Sequence, residues 1–186
     1  ILVMTMVFTA TISGITTVFD REFGFMKEML VAPIRRESIL IGKIFGGITQ
    51  AILQGTIIII LAIFMGVHFS IFSLPGIFLT MFLVSLSFVS LGLAVAGRIA
   101  SMEGFQMVMN FLMQPMIFLS GAFYPASMLP SALKMLVRIN PLTYGVDAMR
   151  YFVVGINEFN VMFDLLILSA FSIFLVFIGS RSFRKS

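Results

Sequence analysis

Few residues in this 186-residue chain could carry out covalent or metal chemistry, and they are not grouped. There is no cysteine and a single histidine, His68. Disulfides, thiolate metal sites and a thiol nucleophile are thereby excluded, and one imidazole cannot build a metal site alone. No H-E-x-x-H or G-x-S-x-G occurs, and a Ser-His triad would have to use His68, which falls in a short turn between apolar runs. Gly42-Lys43 lacks the spaced upstream glycine of a phosphate-cradling G-x-x-x-x-G-K-[ST] loop. Asp147 and Arg150, at i and i+3, can pair, and an exposed pair of this kind is worth roughly 0.2–0.5 kcal/mol. Asp164 stands near one end of an apolar run, where it either carries a proton or sits at headgroup level. No row of intramembrane acids suggests an ion pump. Together these residues argue against a membrane enzyme.

What remains is a set of uncharged polar residues at helical spacing inside apolar runs. Thr5, Thr9, Ser13 and Thr17 repeat at i+4, as do Gln50 and Gln54, and Asn110 and Gln114. A side-chain amide in hydrocarbon is costly without a partner, so these stripes must face other helices or a watery path. They serve either as glue between helices or, for Gln50, Gln54, Asn110 and Gln114, as the lining of a substrate route. Gly47, Ala51 and Gly55 form a ridge of small residues, and Gly92, Ala96 and Ala100 form another; both suit close helix packing and permit a dimer. The 15 Met and 22 Phe are read as lipid-facing or packing residues. A Met-rich surface could also adapt to varied apolar substrates.

The elements that position these residues follow from composition. The chain is 60% hydrophobic and 11% charged, against about 25% charged in ordinary soluble domains. A soluble fold of this length would expose large apolar patches. Charged residues are absent from Ile1 to Phe19, Ile44 to Ala96, Gly104 to Leu133 and Leu165 to Ser180. The runs are continuous rather than alternating, which predicts helices and not barrel strands. The expectation is an all-α polytopic membrane protein with five transmembrane helices, at 1–19, 44–66, 76–97, 105–123 and 161–180, in a single domain over 1–186. The chain opens at Ile1 inside an apolar run without an initiator Met, so a longer parent is expected.

Nine Lys/Arg fall on one side of these spans: Arg21, Lys27, Arg35, Arg36, Lys43, Arg98, Arg181, Arg184 and Lys185. Three fall on the other: Lys134, Arg138 and Arg150. The positive-inside rule makes the first side cytoplasmic. The net charge of +4 then marks cytoplasmic loops, and nucleic acid is not an expected partner. The segment 124–160, punctuated by Pro125, Pro130 and Pro141, is expected outside. It should hold two short helices, interfacial or re-entrant, the second running from an N-cap at Thr143 to Val154.

In the cytoplasmic segment 20–43, Phe23, Met26 and Leu30 share one helical face and Pro33 ends the helix. Lys27 and Glu28 stand away from that stripe. The helix either floats at the membrane interface or docks its charged and aromatic residues into a groove on a cytoplasmic partner.

Two stretches combine into a specific likeness. The first is Asp20-Arg21-Glu22, Lys27-Glu28-Met29-Leu30, Pro33, Arg35-Arg36 and Leu40-Ile41-Gly42-Lys43. The second is Leu119-Ser120-Gly121-Ala122-Phe123-Tyr124-Pro125, then Leu129-Pro130, Asn140-Pro141-Leu142-Thr143-Tyr144 and Arg150. The chain resembles the permease subunits of ABC-2 type transporters over nearly its whole length, most nearly the drug-resistance and the lipo-oligosaccharide or polysaccharide export branches. The resemblance implies six spans in the full protein and short external helices before the last one. It also implies a cytoplasmic coupling helix over 23–33, with Phe23, Phe25, Met26, Lys27, Glu28, Leu30 and Pro33 serving contact with an ATPase. The motif residues outside would be Ser120, Gly121, Pro125, Pro130, Asn140, Pro141, Tyr144 and Arg150. It implies two permease chains, alike or different, with two ATP-binding subunits that hold ATP and Mg, in a prokaryotic plasma (inner) membrane. The expected function is ATP-driven export powered by a separate subunit. A stand-alone secondary transporter or channel is the alternative from the residues, and an assembly protein a third.

Overall fold

A computed structural model describes residues 1–24, 36–99, 101–123 and 130–184. Among them every regular element is a helix: α1 Leu2–Glu22, α2 Arg36–Phe64, a 3-10 turn Ile71–Ser73, α3 Leu74–Ala96, α4 Met102–Phe118, α5 Ser131–Ile139, α6 Pro141–Val154 and α7 Val161–Arg184. Four stretches are long and apolar enough to cross a membrane: Leu2–Glu22, Ser38–Phe64, Ile71–Ala96 and Val161–Arg181. The chain is a multi-pass helical membrane protein.

The bundle is organised around α3, which packs against α1, α2, α4, α6 and α7. That is why its sequence is apolar or small on every face, with Met81, Val84, Phe88, Val89 and Leu93 all buried. By contrast, α2 and α7 keep one face uncovered, presenting Leu53, Ile57, Leu61 and Phe64, and Ile173, Phe174 and Phe177. Such stripes are what hydrocarbon covers without cost.

Small residues set the closest approaches. A Cβ on Gly14 would lie 2.5 Å from the Phe105 ring and 3.0 Å from the Gly92 backbone, so α1 and α3 cross backbone to backbone there. Gly47 meets the Ser13 side chain and Gly55 meets Met81 and Met6. Both ridges of small residues are therefore used, among the described residues, inside one chain.

The element α4 differs from the span expected over 105–123. It is 17 residues long, roughly 25 Å at the helical rise, short of the ~30 Å hydrocarbon core. It holds Pro115 in its last turn, which leaves one carbonyl without its N–H. Beyond it Ser120 turns back to the Ile117 carbonyl at 2.7 Å, and Gly121 takes φ +73°, a conformation that favours glycine.

Candidate functional site

At one end of the bundle the chain ties three helices together. The α1 residue Asp20 pairs with Lys43 of α2 at 2.5 Å. Its neighbour Arg21 donates both terminal N–H groups to the Gly97 carbonyl at the end of α3, each at 3.4 Å. A guanidinium suits this place because the last helical carbonyls lack intrahelical donors and carry partial negative charge. One turn on, Phe23 is exposed and packs on Phe19 with ring centroids 4.2 Å apart. Phe25, Met26, Lys27, Glu28, Leu30 and Pro33 lie outside the described residues.

At the other end, α6 closes the cut end of α4. Asn140 is the hinge between α5 and α6. Its Oδ1 accepts the Leu142 N–H at 3.1 Å, and its Nδ2 donates to the Met116 carbonyl at 2.6 Å. Thr143 Oγ1 contacts the Val137 carbonyl at 2.8 Å and the Leu119 carbonyl at 3.3 Å. Arg150 Nη2 donates to the Gly121 carbonyl at 2.7 Å. Carbonyls that the end of a helix leaves without partners thus receive donors from three residues of the same motif. Ser120 is buried in this turn. Pro130 is the N-cap of α5; Tyr124 and Pro125 lie outside the described residues.

The N-cap of α6 is Asn140 and not the expected Thr143. Pro141 takes the first helical position, where its missing N–H costs nothing, and this frees the threonine hydroxyl to bridge to α5 and α4. The helix is also far from surface-lying: Leu142, Thr143, Tyr144, Asp147 and Ala148 are all buried, against α3 and α7. The Tyr144 hydroxyl donates to the Arg138 carbonyl at 2.5 Å, and desolvation holds its phenol above the ordinary value, so it remains a donor.

The expected Asp147–Arg150 pair does not form. Asp147 turns instead to the connection after α6, where its carboxylate accepts from Glu158 N at 2.9 and 3.1 Å and from Phe159 N at 2.8 Å. Arg150 reaches Glu158 at 3.7 Å as well as Gly121. Asp164, near the start of α7, is fully buried inside the fold. Chain folding covers it with α6, which sequence spacing alone does not reveal.

The intramembrane amides separate into two groups. Gln54 meets the Thr9 hydroxyl of α1, so this member of the stripe joins helices, while Gln50 is exposed one turn away. Asn110 and Gln114 are exposed on the outer face of α4. There they flank a shallow hollow of about 680 Å³ that also includes Met107, Phe111 and Pro115. The hollow is lined by α4 alone, so the described residues do not bring all four amides into one path. Sequence reasoning missed Lys43, Arg21 and Thr143 as interhelical partners, although charges bracketing the apolar runs were a usable signal for the first two.

Residues 1–154, most of the chain, match the family described as ABC-2 type transporter. The chain belongs to the ABC-2 type transporter family. It is 28% identical over 153 residues to the inner membrane transport permease YadH of Escherichia coli K12, covering 82% of this chain and 57% of that one. It is 32% identical over 158 residues to the putative transport permease ycf38 of Porphyra purpurea, 81% of this chain and 53% of that one. Nodulation protein J of Rhizobium leguminosarum bv. viciae is 29% identical over 181 residues, 95% of this chain and 68% of that protein. The chain spans 57% of the length of the first of these permeases. For this family member, the α4–α6 closure gives the Asn140-Pro141…Arg150 motif a physical role: it welds the end of one helix to the next two.

Proposed function

We propose that this chain is the membrane-spanning part of an ATP-binding cassette exporter of the plasma (inner) membrane, whose ATP and Mg are held by a separate ATPase subunit. In this reading two permease chains, identical or not, stand side by side in lipid. Then α4 with its closing turn is the fifth span, the Asp20–Lys43 end is cytoplasmic and the α5–α6 end is external. Substrate would pass along exposed faces such as that of Asn110 and Gln114, with Gln50 facing the same partner or path.

The observation that supports the mechanism most is the three-helix tie at Asp20, Lys43, Arg21 and Gly97. It lies where α1 leads into the segment 23–33 and about two turns into α2 beyond it. A push delivered there by a closing ATPase would move α1, α2 and α3 as one body, since they cannot slide separately without breaking partly buried polar contacts. Phe25, Lys27, Glu28 and Leu30 would make the contact, with Phe23, Met26 and Pro33 shaping the helix. Reversing the charges of Lys27 and Glu28 together tests this: ATPase stimulation and export should fall while the permease still inserts. Retention of both at parental levels would count against the coupling site.

A further inference from the structure

The Asp147–Asp164 contact is a buried titratable group that the export reading does not use. Asp164, in the first turn of α7, is 0% exposed and neither of its carboxyl oxygens has an N–H or O–H donor. The group its carboxyl meets is the carboxyl of Asp147, itself only 3% exposed. Two ionised carboxylates in such contact, away from water, repel, and a lone buried charge without a partner is strongly disfavoured. A single proton removes both difficulties.

We infer that Asp147 and Asp164 form a proton-binding site, with Asp164 O–H donating to an Asp147 carboxylate oxygen and so holding the 155–160 connection closed over the start of α7. The division of labour follows from the partners. Asp147 already accepts from Glu158 N and Phe159 N, which suits the ionised member. Asp164 has no donor and is the member that must carry the hydrogen.

No other group in the surroundings takes the proton's place. Tyr144 gives its hydroxyl hydrogen to the Arg138 carbonyl. Arg150 is engaged by Gly121 and by Glu158. Lys134 on α5 is exposed. The elements α3 and the near halves of α1 and α2 contribute no Asp, Glu, Lys, Arg or His. When the proton leaves, the two carboxylates must part, and Asp147 is the one that holds the connection. Rising pH at this end of the bundle therefore loosens 155–160, and acid closes it.

The test uses the full-length permease in lipid nanodiscs, and it does not depend on an ATPase partner. Infrared spectra should contain a protonated-carboxyl C=O band that titrates away as pH rises, is absent from Asp164→Asn, and is shifted in Asp147→Asn because its acceptor carboxylate is gone. Asp164→Asn is expected to fold, because its amide N–H can replace the carboxyl O–H. A cysteine placed at Asn157 in the otherwise cysteine-free described chain then reports opening by its maleimide labelling rate. The ratio of rates, parent over Asp164→Asn, cancels the thiol's own ionisation. It should climb with pH by up to about tenfold per unit, the limit for release of one proton. If the parent lacks the carboxyl band, or the ratio is flat with pH or follows the concentration of a metal cation instead, the inference is overturned. Should Asp164→Asn fail to fold, the parent's own titrating band still decides.

Discussion

Replacing Arg150 by Met should detach α6 from the turn that ends α4. The methionine keeps most of the aliphatic bulk but removes the donor at 2.7 Å from the Gly121 carbonyl and the cation 3.7 Å from Glu158. A hydrogen bond from a charged donor contributes about 1.5–3 kcal/mol, and the partly exposed ion pair adds about 0–1 kcal/mol. Local opening of the 119–123 turn should therefore become roughly ten- to a thousandfold more frequent. The chain has no cysteine, so a single Ala122→Cys reports that opening cleanly through its labelling by a membrane-impermeant maleimide on whole cells. Glu158→Gln, which leaves the Gly121 bond in place, should raise the rate by less than about fivefold. Unchanged labelling in Arg150→Met, or an equal rise in Glu158→Gln, would refute the claim that the motif arginine acts chiefly by closing the end of α4.

Other consequences are equally direct. Gly14→Val should lower the thermal stability of the purified permease by about 1–3 kcal/mol, since its side chain would enter the Gly92 backbone and the Phe105 ring. Gly42→Ala, with nothing within 4 Å, should leave it unchanged, and equal effects would contradict the crossing. Thr9→Val and Gln54→Leu should each cost about 0.6–1.7 kcal/mol, with the double variant costing clearly less than their sum in the same melt; simple additivity would argue against the contact. Asp20→Lys and Lys43→Asp should each weaken the α1–α2 tie by about 1 kcal/mol or less, and the swapped pair should recover ATP-dependent export. A swap as poor as either single change would show that the pairing itself is not what matters.

Much of the bundle is legible in the residues because lipid imposes one demand on every span. Charge-free runs mark α1, α3 and α7 closely, whereas α2 begins at Arg36, so Lys43 lies about two turns inside it and not at its boundary. The glycine ridges at 47–55 and at 92–96 correctly signal close packing, since only small side chains allow it. The end of α4 is less legible: apolarity continues to Phe123, but Pro115 and the left-handed Gly121 stop the helix at Phe118. Side-chain partners are the least legible of all. Asp147 and Arg150 sit at ideal pairing distance along a helix, yet each finds a stronger partner on a neighbouring segment, because orphaned backbone groups at chain turns outbid an i,i+3 contact. Burial of Asp164 depends on how α6 folds back, and nothing local encodes that. The motif Asn140-Pro141…Arg150 was visible as a pattern from the start; its work on the carbonyls of 116–121 required the packed helices.

The central claim is that this chain moves as the membrane half of an ATP-driven pair, and co-purification of the full-length permease from mild detergent, with ATPase activity assayed on what accompanies it, tests it most directly. The account predicts that a P-loop ATPase comes with the permease and is lost when Lys27 and Glu28 are charge-reversed. A permease that purifies alone and transports without ATP would contradict it.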